Sequence, residues 1–167
     1  DFCLSRGLGD VYKRQHRLSG IETRHSVIND YSRASHFDFY PNHSEAFPST
    51  KQRMALFQKH AVHVSVSAAE KCFAKLHDLK RSEITHLVVV SCTGMYAPGL
   101  DIDLVRSLGL KSSVERTCIN FMGCYAAFNA MKLANAFCEQ NPKVKVLVVC
   151  TELCSICLLY TSDAADE

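Results

Sequence analysis

From Pro48-Ser49-Thr50 onward, apolar residues recur every three or four positions: Met54, Phe57, Ala61, Val64, Ala68, Cys72 and Leu76. That period predicts a long amphipathic helix through about His77, with Ser49 or Thr50 able to cap it. The pattern then changes. Ile84 to Cys92, ITHLVVVSC, is apolar at successive positions, as in a strand covered on both faces. Thr93 to Gly99 carries two glycines and a proline and reads as a loop, after which Asp101 or Asp103 caps a short helix to Leu108. Arg116 to Met122 is the next strand. Cys124 to about Glu139 has small or apolar residues on nearly every face, which predicts a buried helix ended by Asn141-Pro142. Val144 to Cys150 is a further apolar strand. Gly20 to His43 is polar and broken, with an aromatic cluster at Phe37, Phe39 and Tyr40, and reads as loops with short pieces of order. Strand, helix, strand, buried helix, strand is an α/β layered arrangement.

Within that order the most informative residue is Cys124. It follows Gly123 at the junction between a strand and a helix, where the helix dipole and free N–H groups favour thiolate over thiol. A thiolate held on a buried turn suits nucleophilic catalysis. The alternative at this stage is a buried structural cysteine, since free cysteine is among the most buried residue types.

Composition bounds the function once the chain ends are considered. Cys157 to Glu167 (CLLYTSDAADE) back-translates codon by codon onto the transposon end of a common sequencing-library adapter. SRGLGDVYKRQ, which closes the first fifteen residues, back-translates onto the partner adapter in the opposite orientation. Residues 1–15 and 157–167 are therefore expected to be adapter-derived and non-native, leaving 16–156 as natural sequence. Without those ends Lys+Arg falls from 19 to 16 and Asp+Glu from 17 to 12, a net charge of about +4. That is a mildly basic face useful for a phosphorylated cofactor and far too weak to imply nucleic acid. Seven of nine cysteines remain, irregularly spaced, which favours a reducing cytoplasm over a disulfide framework. No apolar run approaches the ~20 residues that span a bilayer, so no membrane partner is expected. Cys150 and Cys154 lack supporting His or Asp ligands, and Gly94 and Gly99 fit neither dinucleotide nor P-loop spacing, so no metal or cofactor is implied.

ITHLVVVSCTGMYAPGLDIDLVRSLGL, INFMGCYAAFNAMKLANAF and VKVLVVCTEL, with the upstream SGIETRHSV and PSTKQRMALFQKHA, resemble the type III polyketide synthases, the chalcone and stilbene synthase family. The resemblance runs unbroken from His16 to Ser155. The G-C-Y-A-A turn is shared in kind with ketoacyl synthases; the T-G-x-x-x-P-G-x-D loop together with VLVVCTE favours the type III enzymes. The resemblance implies an α/β chain forming the N-terminal half of a thiolase-like (αβαβα) layered fold, incomplete by itself. It also implies a homodimeric acyltransferase acting on acyl-CoA and malonyl-CoA by decarboxylative Claisen condensation. A ketoacyl synthase III-like condensing enzyme and a fragment without function are the alternatives.

Residue by residue, Cys124 falls on the family's nucleophile. Cys92 and Thr93 match the loop lining its acyl-binding cavity; plant members commonly carry hydroxyls at both places, so the Cys92 thiol is a departure, and a strand-end cysteine that merely packs is the other reading. Ala97 matches a position that crosses the dimer interface into the partner's cavity. Leu18 stands where plant members have a lysine near CoA phosphates, so that contact is either absent or displaced to the neighbouring Arg17. Arg53 is expected to be solvated or salt-bridged. The family draws its oxyanion donors from a His and an Asn downstream of the cysteine. All 8 histidines here lie between His16 and His86 and none is read as catalytic, so the chain alone is expected to be inactive.

Overall fold

The computed structural model describes residues 18, 20, 22–23, 25–30, 38–40 and 48–157. Residues 1–15, and 158–167, lie outside them, as do Arg17 and Phe37. The chain divides into two compact units, Asp1–Pro48 with Leu158–Glu167, and Ser49–Cys157. In the first, Leu18 is helical and Asp30 lies in a 3-10 turn, while the other described residues are turns, bends and loops. Their organising group is the buried Asp30, whose carboxylate accepts the backbone N–H groups of Asp38, Phe39 and Tyr40 at 3.0, 2.9 and 2.8 Å.

The second unit begins with α1, Thr50–Phe73. Ser49 is its N-cap: the hydroxyl accepts from Gln52 N–H at 3.3 Å, and Gln52 Oε1 accepts from Ser49 N–H at 2.8 Å, a reciprocal capping box. The buried stripe is Phe57, Ala61, Ser65 and Ala69, not the expected Val64, Ala68, Cys72 and Leu76, which are exposed. The buried residues recur at every fourth position. A serine can occupy the stripe because Ser65 Oγ lies 2.6 Å from both the Ala61 carbonyl and Thr151 Oγ1, so its polarity is satisfied inside.

Three parallel strands follow: β1 His86–Ser91, β2 Glu115–Asn120 and β3 Val146–Cys150, in the order β2-β1-β3. β1 is central, with Val90 opposite both Ile119 and Cys150. The helix between β1 and β2 is α2, Leu100–Ser107; that between β2 and β3 is α3, Ala126–Gln140. The two crossovers travel in opposite directions across the sheet, so the right-handed rule puts their helices on opposite faces. Packing agrees. Val88, Val90, Ile119, Val146 and Val148 meet Ala126, Ala130, Leu133 and Phe137 of α3, while α2 packs on α1, β1 and β2 on the other face. Alternation then assigns the buried Leu87, Val89, Leu147 and Val149 to the α1–α2 face. The result is an α/β/α sandwich, as the α/β reading requires, and its strands begin later than expected at β3 and end earlier at β2.

Two details depart from expectation. Asp101 and Asp103 do not cap α2: Gly99 holds the N-cap position, and the aspartates sit in the first turn, where the helix dipole favours them. Asp101, nearly buried, pairs with Arg116 of β2. The helix α3 is not buried all round. Only Ala126 and Ala130 are fully covered, while Phe128 and Met131 are 62% and 53% exposed. A helix lying on one sheet face hides one stripe, and no described residue covers the other.

Truncating Ser65 to Ala should strand the buried Thr151 hydroxyl and cost about 1–3 kcal/mol. The double variant Ser65→Ala/Thr151→Val should cost less than the sum of the single changes in urea unfolding. Additive costs would show that the two hydroxyls are not coupled.

Candidate active site

Ligands of open parallel sheets bind beyond the carboxyl ends of the strands, where crossovers diverge. Here that edge carries three loops: residues 92–99 after β1, 121–125 after β2 and 151–153 after β3. Cys124 belongs to the second. Between the last residue of β2 and the first of α3 the chain reverses through Phe121 at φ 57° and Gly123 at φ 81°. Glycine adopts that conformation freely, whereas an aromatic residue in it costs on the order of 1–3 kcal/mol and needs its surroundings to hold it. Tyr125 is the N-cap and offers no side-chain cap, so Cys124 stands next to an uncapped helix start. The thiol is free and exposed, as are all residues from Phe121 to Tyr125. The expected buried turn is thus an exposed one, and Cys124 is not packed among the described residues. The reason is local: the small residues that reach the sheet begin only at Ala126, and the turn projects past the strand ends.

Hydrogen bonds tie the three loops together. Phe121 N–H donates to the Ser91 carbonyl at 3.2 Å and Thr151 N–H to the Val90 carbonyl at 2.9 Å, extending the pairing of β1 beyond both neighbours. Thr93, buried, accepts Leu153 N–H on its hydroxyl at 2.9 Å. Cys92 N–H is shared by the two Glu152 oxygens at 2.9 and 3.1 Å, and the half-buried Cys92 thiol lies 3.3 Å from the Gly123 carbonyl oxygen. Cys92, Thr93 and the Cys124 turn are therefore one constellation. Ala97 is exposed farther along the first loop, ahead of Pro98 across a cis bond, and no described hydrogen bond ties it to the others. The loop itself is anchored on α1, since Gly94 passes so close to Phe57 that a Cβ there would overlap the ring.

Glu152 had no role in the sequence reading, although it stands in the CTEL motif. An acid immediately beyond an apolar strand was the available signal; its partner, 60 residues away, was not visible. Leu18 is exposed, and Arg53 donates to Thr50 Oγ1 at 3.1 Å on the same helix. His86 lies at the amino end of β1, where with Glu115, Phe137, Gln140, Asn141 and Val144 it lines a hollow of about 450 Å³ on the pole opposite Cys124. No cluster of three metal-ligating side chains occurs among the described residues, and no described helix is long and apolar enough to cross a membrane.

Electrostatics distinguishes the edge residues. Tyr96 donates its hydroxyl to Asp103 at 2.6 Å; loss of water and then that carboxylate raise its pKa far above the ordinary value. The Cys118 thiol is raised by desolvation and then by Asp101, and Cys150 by desolvation and then by Glu152.

Residues 8–166 match the family described as chalcone and stilbene synthases, N-terminal domain. The alpha-pyrone synthesis polyketide synthase-like Pks18 of Mycobacterium tuberculosis is 36% identical over 99% of this chain and 41% of its own length. Bisdemethoxycurcumin synthase of Oryza sativa subsp. japonica is 32% identical over 87% of this chain and 35% of its own. Among solved structures, that of CsyB complexed with CoA-SH superposes with a TM-score of 0.71 at 26% identity, covering 92% of this chain and 40% of that one. The chain thus spans about two fifths of these relatives' length.

The raised groups set an alkaline limit on stability. Below pH 9 the thiols and the phenol are protonated in both states. As pH rises past the ordinary values, 9.0 for the thiols and 10.0 for the phenol, the unfolded chain releases protons that the folded chain keeps, and stability falls. Urea unfolding between pH 8 and 11 should show this decline, and Tyr96→Phe should make its upper part shallower. An unchanged slope in that variant would contradict the assignment.

Proposed function

The chain belongs to the chalcone and stilbene synthase family, and from that premise we propose that it is the N-terminal part of a type III polyketide synthase with Cys124 as the nucleophile. The observation that carries the proposal is an exposed, free thiol beside an uncapped helix start at the carboxyl edge of a parallel sheet. The Cys124 thiolate attacks the carbonyl of a starter acyl-CoA; the thioester bond to CoA breaks, the acyl group passes to Cys124, and CoA leaves as its thiolate to take up a proton. Malonyl-CoA then loses carbon dioxide, and the resulting enolate carbon attacks the acyl-Cys124 carbonyl. Cys124 leaves as thiolate, and the chain, two carbons longer, is now held on CoA. A thiolate serves both steps because it is a good nucleophile and a competent leaving group. That CsyB was solved with CoA-SH supports CoA thioesters as the substrates.

Cys92 and Thr93 line the acyl end of this site, and Ala97, which crosses the dimer interface, leaves room in the partner's cavity for a bulkier starter or product. The working enzyme is a cytoplasmic homodimer. Each collapsing carbonyl needs preorganised donors for its oxyanion, and the resemblance draws these from a His and an Asn beyond the length spanned here. The broad exposed apolar surface formed by Phe121, Met122, Tyr125, Phe128 and Met131 supports the same reading, since a face of that kind is normally covered in a finished fold.

Incubated alone with an acyl-CoA and malonyl-CoA, the chain should release no sustained product by liquid chromatography; repeated turnover would overturn its status as a part. Joined to the downstream half, it should turn over, and Cys124→Ala should reduce product to the uncatalysed background. Undiminished product from that variant would remove Cys124 from the mechanism.

A further inference from the structure

We infer that Cys92 is a positioning residue for Cys124, acting through the Gly123 carbonyl, and that Glu152 in turn fixes Cys92. The inference rests on the reading of Cys124 as nucleophile and adds what aims it. The turn that presents Cys124 contains two residues at positive φ, one of them the exposed aromatic Phe121, so it does not hold its shape by intrinsic preference. Two donors converge on the carbonyl of Gly123: Ala126 N–H from the start of α3 at 3.1 Å, and the Cys92 thiol from the end of β1 at 3.3 Å. That carbonyl belongs to the peptide plane that also holds the N and Cα of Cys124, so fixing it fixes the N–Cα bond from which the Cys124 side chain departs.

Cys92 is suited to the task because both its ends are held. Its backbone N–H is gripped by the two oxygens of Glu152, and its side chain packs against the cluster of Val88, Val90, Ala126 and Ala130. The thiol therefore links the core of the α3 face to the turn, and the contact joins the ends of β1 and β3 to the loop after β2. A hydroxyl at this position could donate the same bond, whereas a methyl group could not.

The test is the rate at which iodoacetamide alkylates Cys124 in the full chain, read by peptide mass spectrometry against Cys138, an exposed thiol at the far end of the same helix. Cys92→Ala should lower the Cys124 to Cys138 rate ratio by about fivefold or more, because a misaimed group reacts more slowly. Cys92→Ser should restore the ratio to within about twofold of the parent chain. Glu152→Ala, which removes both acceptors of the Cys92 N–H and alters no core residue, should lower the ratio in the same direction and keeps the question open to measurement if Cys92→Ala does not fold. A ratio unmoved in Cys92→Ala or Glu152→Ala, or a Ser variant no better than Ala, overturns the inference. Acyl transfer from acyl-CoA to Cys124, followed separately in the protein joined to its downstream half, divides the two claims. Acylation with a ratio indifferent to Cys92 sinks the positioning role alone. A ratio that follows Cys92 without acylation sinks the nucleophile and leaves the positioning intact.

Discussion

The pairing of β1 with strands on both sides is the constraint on which the rest depends. Leu87 to Val90 are all essentially buried, so every peptide group along this segment must find a partner inside the sheet. The pairing does not stop at the ladder: the carbonyls of Val90 and Ser91 go on to accept Thr151 and Phe121 N–H. Those two bonds bring the segments after β3 and β2 to the end of β1. The Cys124 turn is thus placed by the backbone of a neighbouring strand, before any of its own side chains is considered. A buried parallel sheet also needs cover on both faces, which the opposite crossovers supply through α2 with α1 on one side and α3 on the other.

The same architecture explains an asymmetry in the molecule. On the α1–α2 face, Phe57, Leu104 and Leu108 are sealed, and Arg116 neutralises the nearly buried Asp101. On the other face α3 covers the sheet with Ala126, Ala130, Leu133 and Phe137 and leaves Phe128 and Met131 outward. Small residues inward allow close approach to the strands; large apolar residues outward need a partner of their own. The relatives this chain matches are more than twice as long.

Much of this was legible in the residues. The alternation of long apolar runs with helical periods is a strong signal, and the order of strands and helices, the Ser49 cap and the Gly123 turn before Cys124 follow from it. What was not legible depends on contacts distant in sequence. Periodicity favoured Val64 for the α1 core, but Ser65 is inside because Thr151 and a carbonyl one turn back accept its polarity. Asp101 reads as a cap from its position, yet its partner is Arg116 on the next strand. Glu152 reads as a strand-end acid, and only the parallel register carries it to Cys92. The apolar composition of α3 signals burial without stating whether the covering surface lies in the same stretch of chain.

The central claim is that Cys124 is the acyl acceptor. The most direct measurement is peptide mapping by mass spectrometry after brief exposure of the folded chain to an acyl-CoA, with every cysteine scored for the acyl mass. The account predicts the acyl group on Cys124 ahead of the other exposed thiols, Cys72, Cys118, Cys138, Cys150 and Cys154, with that preference lost in urea. Acyl groups spread evenly over the exposed thiols, or concentrated on another cysteine, would contradict it.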